Sequence, residues 1–135
     1  MKQKLFTSIG LMSGTSMDGV DISIIQSDGQ YEFYNVLDEY FEYDVYLQEE
    51  LIRLRNLVLN QNDLLKKSEA LRNLERKITV FHAEKINYIL SEYKHEIDLI
   101  GFHGQTIFHD PKKKITKQLG DGKLLSQLLK KKGSL

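Results

Sequence analysis

A loop rich in glycine and hydroxyl side chains follows the first apolar segment, and its residue types suit phosphate chemistry. Residues 9–21 read IGLMSGTSMDGVD. Gly14 and Gly19 allow positive φ angles and a close backbone approach, so that N–H groups can surround an anion. Asp18 is a carboxylate that can hold a magnesium ion, directly or through water. Hydroxyl donors come from Ser13, Thr15 and Ser16. These residues together predict a loop that binds phosphate and magnesium.

Two other interpretations of this loop bear on its function. It is not a P-loop, because no Gly-Lys-Ser/Thr follows the glycines, and it lacks the three-glycine spacing of a dinucleotide-binding turn. The pair Asp18-Gly19 between apolar segments is also typical of a simple β-hairpin turn. The residues alone leave the phosphate loop and the plain hairpin both open.

A second polar group, residues 103–106, follows the short apolar run at residues 97–102. That run is typical of an interior strand, and ligands in open α/β sheets bind at the carboxyl ends of strands. His103, Gln105 and Thr106 could read sugar hydroxyls or position a phosphate, or they could satisfy a local turn. His103 and His109 lack an evident third ligand, which argues against zinc.

A third polar position is Asp121, which lies between Gly120 and Gly122. It is either a turn former or a residue of the same site.

These groups need elements that position them. Period-two alternation and turn residues predict a three-stranded antiparallel meander, and apolar residues at helical spacing then predict helices. Further strands and a last leucine-rich helix follow. The predicted strands span residues 4–9, 20–24, 31–40, 97–102, 107–109 and 115–119, and the predicted helices span 44–58, a segment capped within 60–63 and running to about 93, and 123–129. His82 lies at the edge of the long helix's apolar stripe and is interpreted as a core residue.

Composition limits the class of protein. The 135 residues contain 19 basic and 19 acidic side chains and no cysteine. Disulfides, thiolate metal sites and a dedicated nucleic-acid surface are therefore not expected. No apolar run is long enough for a membrane span or a secretory signal, so we expect a cytoplasmic protein with no membrane partner. Lysines concentrate in residues 111–135, and residues 130–135 are interpreted as a basic polar tail.

Three motifs in order resemble the N-terminal part of the anhydro-N-acetylmuramic acid kinase family. They are GLMSGTSMDGVD at residues 10–21, GFHGQTIFHDP at 101–111 and QLGDG at 118–122. The family belongs to the sugar kinase, Hsp70 and actin superfamily. The resemblance therefore implies an α/β fold, an actin-like ATPase (ribonuclease-H-like) lobe with a mixed sheet, the meander and flanking helices.

By this resemblance, the complete enzyme uses ATP and Mg²⁺ to phosphorylate the amino sugar 1,6-anhydro-N-acetylmuramic acid at its 6-oxygen. Water opens the anhydro bridge, and N-acetylmuramic acid 6-phosphate enters cell-wall recycling. Asp18 is implied as a magnesium residue acting through water. The implied ATP-phosphate residues are Ser13, Gly14, Thr15, Ser16, Met17, Asp18, Gly19, Val20 and Asp21, and the implied cleft residues are His103, Gly104, Gln105, Thr106 and Asp121.

The resemblance also predicts what the chain lacks. Family members continue to an Asp-Phe-Arg segment whose aspartate resembles a general base, and this sequence has no such segment. We therefore expect residues 1–135 to be a truncated part of one lobe of a two-lobe sugar kinase, inactive alone, with no catalytic base of its own. A non-catalytic binding or self-associating module is the alternative, and an unrelated ribonuclease-H-like domain is weaker. Four leucines of the last helix would need cover from another copy, which predicts a homo-oligomer.

Overall fold

The computed structural model describes residues 5–14, 16–93 and 96–130. Within these residues the chain forms an α/β structure with a mixed four-stranded sheet and a two-stranded sheet. The strands are β1 (Phe6–Ser13), β2 (Gly19–Ser27), β3 (Phe33–Glu42), β4 (Leu99–Phe102), β5 (Gln105–Asp110) and β6 (Ile115–Leu119). The helices are α1 (Val45–Leu57), α2 (Gln61–Lys66), α3 (Ser68–Glu92) and α4 (Gly122–Lys130).

The larger sheet has the strand order β3-β2-β1-β4. Strands β1, β2 and β3 pair antiparallel in sequence order, which confirms the predicted meander. Alternate residues of β1 and β2 face the core, so Ile9 pairs with Ile24 and Leu11 with Ile22, and all four are buried. This period-two burial follows from the pleat of a strand with one covered face.

The first strand is longer than the sequence predicts. The expected end was at Ile9, with a loop from Gly10, but β1 continues to Ser13 because Leu11 extends the buried alternation. The loop is therefore confined to residues 14–18, and Gly19 opens β2. The candidate phosphate residues consequently span two strand ends as well as a turn.

Strand β4 lies parallel to β1 at the sheet's other edge. The two strands are joined at their start by reciprocal bonds: Thr7 N donates to the Asp98 carboxylate at 2.8 Å, and Asp98 N donates to the Thr7 carbonyl at 2.8 Å. A parallel pair requires a long crossover, which here contains the helices α1 to α3. This pairing brings the end of β4 beside the end of β1.

The helices form the layer over the sheet. Asp44 caps α1 through Leu47 N, and Asn60 caps α2 through Asp63 N. The predicted second helix is thus two helices, α2 and α3, with Lys67 between them. The 25-residue α3 buries the expected apolar stripe, and His82 is buried with it, as the sequence predicts. Across the described residues, no helix has the length and apolarity to cross a membrane.

The last elements correct two expectations. Gln105 and Thr106 begin β5 rather than forming a loop, because β5 pairs with β6 from Gln105 onward. Leu125 and Leu129 are buried and α4 packs against α3, whereas Leu124 and Leu128 are half-buried, so this chain itself covers part of the leucine face. The expectation that all four leucines need cover from another copy was therefore wrong for Leu125 and Leu129. Of the expected basic tail at residues 130–135, α4 includes Lys130, and residues 131–135 lie outside the described residues.

Candidate functional site

The loop between β1 and β2 is a turn closed by its own backbone. Met17 N donates to the Gly14 carbonyl at 3.3 Å, and Met17 adopts a φ of 60° with its side chain 2% exposed. The left-handed conformation therefore falls on Met17, and the expectation that Gly14 and Gly19 supply it was wrong. Burial of the Met17 side chain supports a conformation that a non-glycine residue seldom adopts.

The two glycines of the loop serve different purposes. A Cβ at Gly19 would collide with the Phe41 carbonyl, so Gly19 permits the close approach of β3. A Cβ at Gly14 would meet nothing nearer than Ser16 Oγ at 3.7 Å, and Gly14 is exposed. Gly14 therefore leaves open space in front of the turn, where a ligand could approach the backbone.

Asp18 lies at the exposed end of the turn. Its Oδ1 accepts a hydrogen bond from Gln48 Nε2 at 3.0 Å, and its carbonyl accepts from Tyr43 N at 2.9 Å. The second carboxylate oxygen is available for a cation or its water, which fits the way magnesium is held by one carboxylate with retained waters. Ser16 is exposed beside it, and Thr15 lies outside the described residues.

The last two candidate loop residues lie in β2 and face opposite sides of the sheet. Val20 is fully buried, so its side chain belongs to the core. Asp21 is exposed on the other face, and a hydrogen bond with Asp38 is the main reason that its pKa is raised. The side chain of Asp21 therefore belongs to an acidic pair on the uncovered sheet face.

Gln105 joins the second motif to the loop. It is 0% exposed, and its Nε2 donates to the Gly14 carbonyl at 2.9 Å and to the Thr106 carbonyl at 3.2 Å. Its Oε1 accepts from the Tyr43 hydroxyl at 3.0 Å. Every polar atom of this side chain is engaged inside the protein, so Gln105 supports the turn from the core.

A buried polar network continues from Tyr43. The Tyr43 hydroxyl is 3.2 Å from Ser13 Oγ, which is itself 3.5 Å from His82 Nε2. His82 Nδ1 lies 2.7 Å from the Ile78 carbonyl. Burial lowers the pKa of His82, and burial raises the pKa of Tyr43 to about 12. Both groups are therefore neutral near pH 7. The hydroxyl of Ser13 is directed inward, because its neighbours are Tyr43 and His82.

The third motif is held by α3. Gly120 N donates to Glu75 Oε2 at 3.0 Å, and Asp121 N donates to Thr79 Oγ1 at 3.0 Å. Asp121 in turn caps α4, because its Oδ1 accepts from Leu124 N at 3.1 Å. The Asp121 carboxylate is exposed, so one oxygen caps the helix while the other faces solvent.

The second and third motifs pack on each other at two glycines. Gly104 has a φ of 75°, and a Cβ there would collide with the Leu119 carbonyl and lie close to Gly120. His103 precedes this contact and is exposed, whereas Thr106 is half-buried in β5. The structure thus brings the three motifs together along the part of α3 between Glu75 and His82.

Comparisons with known proteins decide the family. A family model described as anhydro-N-acetylmuramic acid kinase matches residues 6–131. The chain belongs to this family. It is similar to the anhydro-N-acetylmuramic acid kinase of Pelagibacter ubique (strain HTCC1062), with 52% identity over 96% of this chain and 34% of the relative.

Two further members of the anhydro-N-acetylmuramic acid kinase family are more distant. The protein of Agrobacterium fabrum is 38% identical over 90% of this chain and 33% of its own length. The protein of Brucella canis is 39% identical over 89% of this chain and 33% of its own length. The chain therefore spans about a third of the length of these curated relatives.

Sequence reasoning missed the residues that hold the anhydro-N-acetylmuramic acid kinase motifs together. Tyr43 stood between a predicted strand and a predicted helix and was assigned no role. Glu75, Thr79 and His82 recur at the i, i+4 and i+7 positions of α3, which share one helical face. Polar residues at that spacing on an otherwise apolar stripe were the available signal.

Proposed function

We propose that this chain carries the nucleotide-phosphate loop of an ATP- and Mg²⁺-dependent kinase acting on 1,6-anhydro-N-acetylmuramic acid. Family membership supports the sugar substrate, since the relatives are named as anhydro-N-acetylmuramic acid kinases. The order of the meander and its parallel strand supports an actin-like ATPase lobe as the scaffold. The phosphorylated product, N-acetylmuramic acid 6-phosphate, follows from this reaction.

One observation carries the assignment: the exposed turn is fixed at both ends from the core. Gln105 holds the Gly14 carbonyl and Tyr43 N holds the Asp18 carbonyl. Phosphoryl transfer depends mainly on positioning and on neutralising charge, so donors that are held in place before binding are effective. A rigid turn with open space at Gly14 meets that requirement.

The residues of the turn have distinct parts in this proposal. Backbone N–H groups around Gly14 and Ser16 would bind phosphate oxygens, with the Ser16 hydroxyl as a further donor. Asp18 would hold Mg²⁺ through water, and the ion would neutralise phosphate charge. Ser13 would support the turn, because its hydroxyl bonds inward. His103, Thr106 and the free oxygen of Asp121 would face the sugar side.

The remaining catalytic parts are expected outside these 135 residues, because the chain spans about a third of its relatives. No side chain here is assigned as the base that activates water. We therefore expect the chain alone to bind MgATP without forming N-acetylmuramic acid 6-phosphate. Self-association remains a separate prediction, to be measured by sedimentation.

Calorimetric titration of the chain with MgATP, MgADP and AMP tests the proposal. A phosphate cradle should bind the three nucleotides in that order, and Ser16→Ala should weaken MgATP binding. Ser126→Ala, an exposed serine of α4, is the matched control. Equal affinities for AMP and MgATP, or no binding at millimolar nucleotide, would contradict a phosphate loop in this chain.

A further inference from the structure

Tyr43 occupies the junction between β3 and α1, and it contacts both ends of the glycine turn. Its ring is 5% exposed and packs edge-on against Phe81, with the ring centroids 5.0 Å apart. Its backbone N–H bonds the Asp18 carbonyl. Its hydroxyl bonds Gln105, whose amide reaches the Gly14 carbonyl. Tyr43 is thus linked to both ends of residues 14–18, directly at Asp18 and through Gln105 at Gly14.

The direction of these bonds is determined by the chemistry of the partners. The carbonyls of Gly14 and Thr106 can only accept, so the NH₂ group of Gln105 faces them and its Oε1 is left as an acceptor. The single proton of the Tyr43 hydroxyl therefore goes to Gln105.

The Tyr43 oxygen is consequently left to accept from Ser13, its partner at 3.2 Å. Ser13 then donates to Tyr43, Tyr43 donates to Gln105, and Gln105 donates to the Gly14 carbonyl.

His82 lies beside Ser13, where this chain of bonds begins, and competes with Tyr43 for the proton of the Ser13 hydroxyl. Its Nδ1 faces the Ile78 carbonyl at 2.7 Å, so Nδ1 carries the proton of the neutral ring and Nε2 is an acceptor. Ser13 Oγ lies 3.5 Å from His82 Nε2, which is a longer distance than the 3.2 Å to the Tyr43 hydroxyl. The shorter contact favours donation to Tyr43, which completes the directional chain.

We propose that Tyr43 is a positioning residue that fixes the glycine turn for phosphate binding, through its hydroxyl and Gln105 at one end and its backbone N–H at the other. The inference rests on the proposed function of the turn. Tyr43 touches no nucleotide in this scheme. Its hydroxyl acts through Gln105, whose amide holds the Gly14 carbonyl, and that carbonyl also accepts the Met17 N–H that closes the turn.

Tyr43→Phe tests this role, because it removes the hydroxyl and keeps the buried ring. It removes the bond from Ser13 and the bond to Gln105, and only the second lies on the path to Gly14. Loss of one buried hydrogen bond on that path corresponds to a change of about tenfold. We expect amide hydrogen exchange at Met17 to quicken by about tenfold, while exchange in the middle of α3 stays unchanged. MgATP affinity should fall by a similar factor.

Two further variants make the test specific. Gln105→Met breaks the same connection and also removes the bond to the Gly14 carbonyl, so the double variant with Tyr43→Phe should quicken Met17 exchange no more than Gln105→Met alone does. Thr79→Val removes another buried hydroxyl of the core, whose bonds go to Asp121 N and the Glu75 carbonyl. Its exchange changes should appear near Asp121 and leave Met17 unaffected.

The outcomes separate this inference from the proposed function. Unchanged Met17 exchange in Tyr43→Phe, or the same quickening in Thr79→Val, would overturn the positioning role. Quickened Met17 exchange confined to the turn supports it, whether or not nucleotide binds. Absence of MgATP binding by the parent chain would overturn the proposed function alone, because the exchange measurement needs no nucleotide.

Discussion

Gly104 and Leu119 approach so closely that no Cβ fits between them. Gly104 lies at a φ of 75°, and its missing side chain would point into the Leu119 carbonyl. The contact seats the turn after β4 against the end of β6, and it brings the second motif to the third. A backbone contact of this kind depends on glycine for both its dihedral angle and its space.

Gly104→Ala should therefore be strongly destabilising. The left-handed backbone costs an L-residue about 1–3 kcal/mol, and the collision with Leu119 adds to that. Urea denaturation followed by circular dichroism should show a loss of about 2 kcal/mol or more. Gly122→Ala is the control, because a Cβ there meets nothing within 4 Å. Equal stability of the two variants would contradict the close approach.

Gly14→Ala should separate ligand binding from folding. A methyl group at Gly14 meets only ordinary contacts in the chain, so the unfolding free energy should change by no more than about 0.5 kcal/mol. The same methyl would occupy the space in front of the turn, and MgATP affinity should fall about tenfold or more.

Gly19→Ala, by contrast, should unfold the meander through its clash with Phe41. Calorimetry and denaturation on both variants measure the contrast. A Gly14→Ala chain that binds MgATP as the parent does would place the phosphates elsewhere.

Asp18→Asn should weaken the magnesium dependence of nucleotide binding. Asparagine keeps an oxygen for Gln48 Nε2 and removes the charge, so the fold should be unaffected. Affinity for ATP measured with increasing Mg²⁺ should rise less steeply than in the parent, because the cation loses its carboxylate. Glu49→Gln, an exposed charge change on α1, serves as the control. An unchanged magnesium curve would remove Asp18 from the metal site.

Acid should destabilise the fold through His82. Burial lowers the pKa of His82 in the folded state below its ordinary value of 6.5, so the unfolded chain binds the proton more readily. The unfolding free energy should therefore fall as the pH drops below about 6.5 and continue to fall until the folded-state pKa is reached.

His82→Gln should flatten this part of the pH profile. Denaturation curves between pH 5 and pH 7 measure the slope. Parallel profiles for His82→Gln and the parent would show that His82 is not held neutral.

Leu129→Ala should cost about 2–5 kcal/mol, as is typical of a buried leucine truncated to alanine. Leu129 is 1% exposed although it lies in the last described helix, and Leu128 beside it is only partly buried. Leu128→Ala should therefore cost clearly less in the same denaturation measurement. If both substitutions had little effect, α4 would not be docked on its own chain.

The sequence predicted the elements better than it predicted their junctions. Alternation in β1 and β2 and the apolar stripe of α3 are local patterns, and they placed the meander and the end of the long helix correctly, although they missed the break at Lys67. The end of β1 was misplaced because Gly10 resembles a loop residue, although Leu11 continues the buried face. The burial of the last helix against α3 was not predicted, because it depends on a tertiary contact that local sequence patterns do not report.

The site was predicted as a set of motifs and not as a network. Family resemblance grouped the glycine loop with Gln105 and Asp121, yet no local signal indicates that Gln105 is buried with its amide toward Gly14. The burial of His82 was predicted, but its contact with Ser13 was not, and Tyr43 was assigned no role, because these contacts join residues that are distant in the chain. Hydrogen-bond direction depends on three-dimensional neighbours that composition and periodicity do not report.

The bond between Gln105 and Gly14 joins residues 91 positions apart. Thr7 and Asp98, which start the parallel pairing, are separated by the same interval. Closing so long a segment is entropically costly and precedes the contacts that stabilise it, so such pairings form slowly. The hairpin of β1 and β2 can assemble early, but its turn acquires its fixed shape only when the crossover has closed. If residues 14–18 hold phosphate as proposed, that competence is a late event in folding, and nucleotide binding would report that the long-range topology is complete.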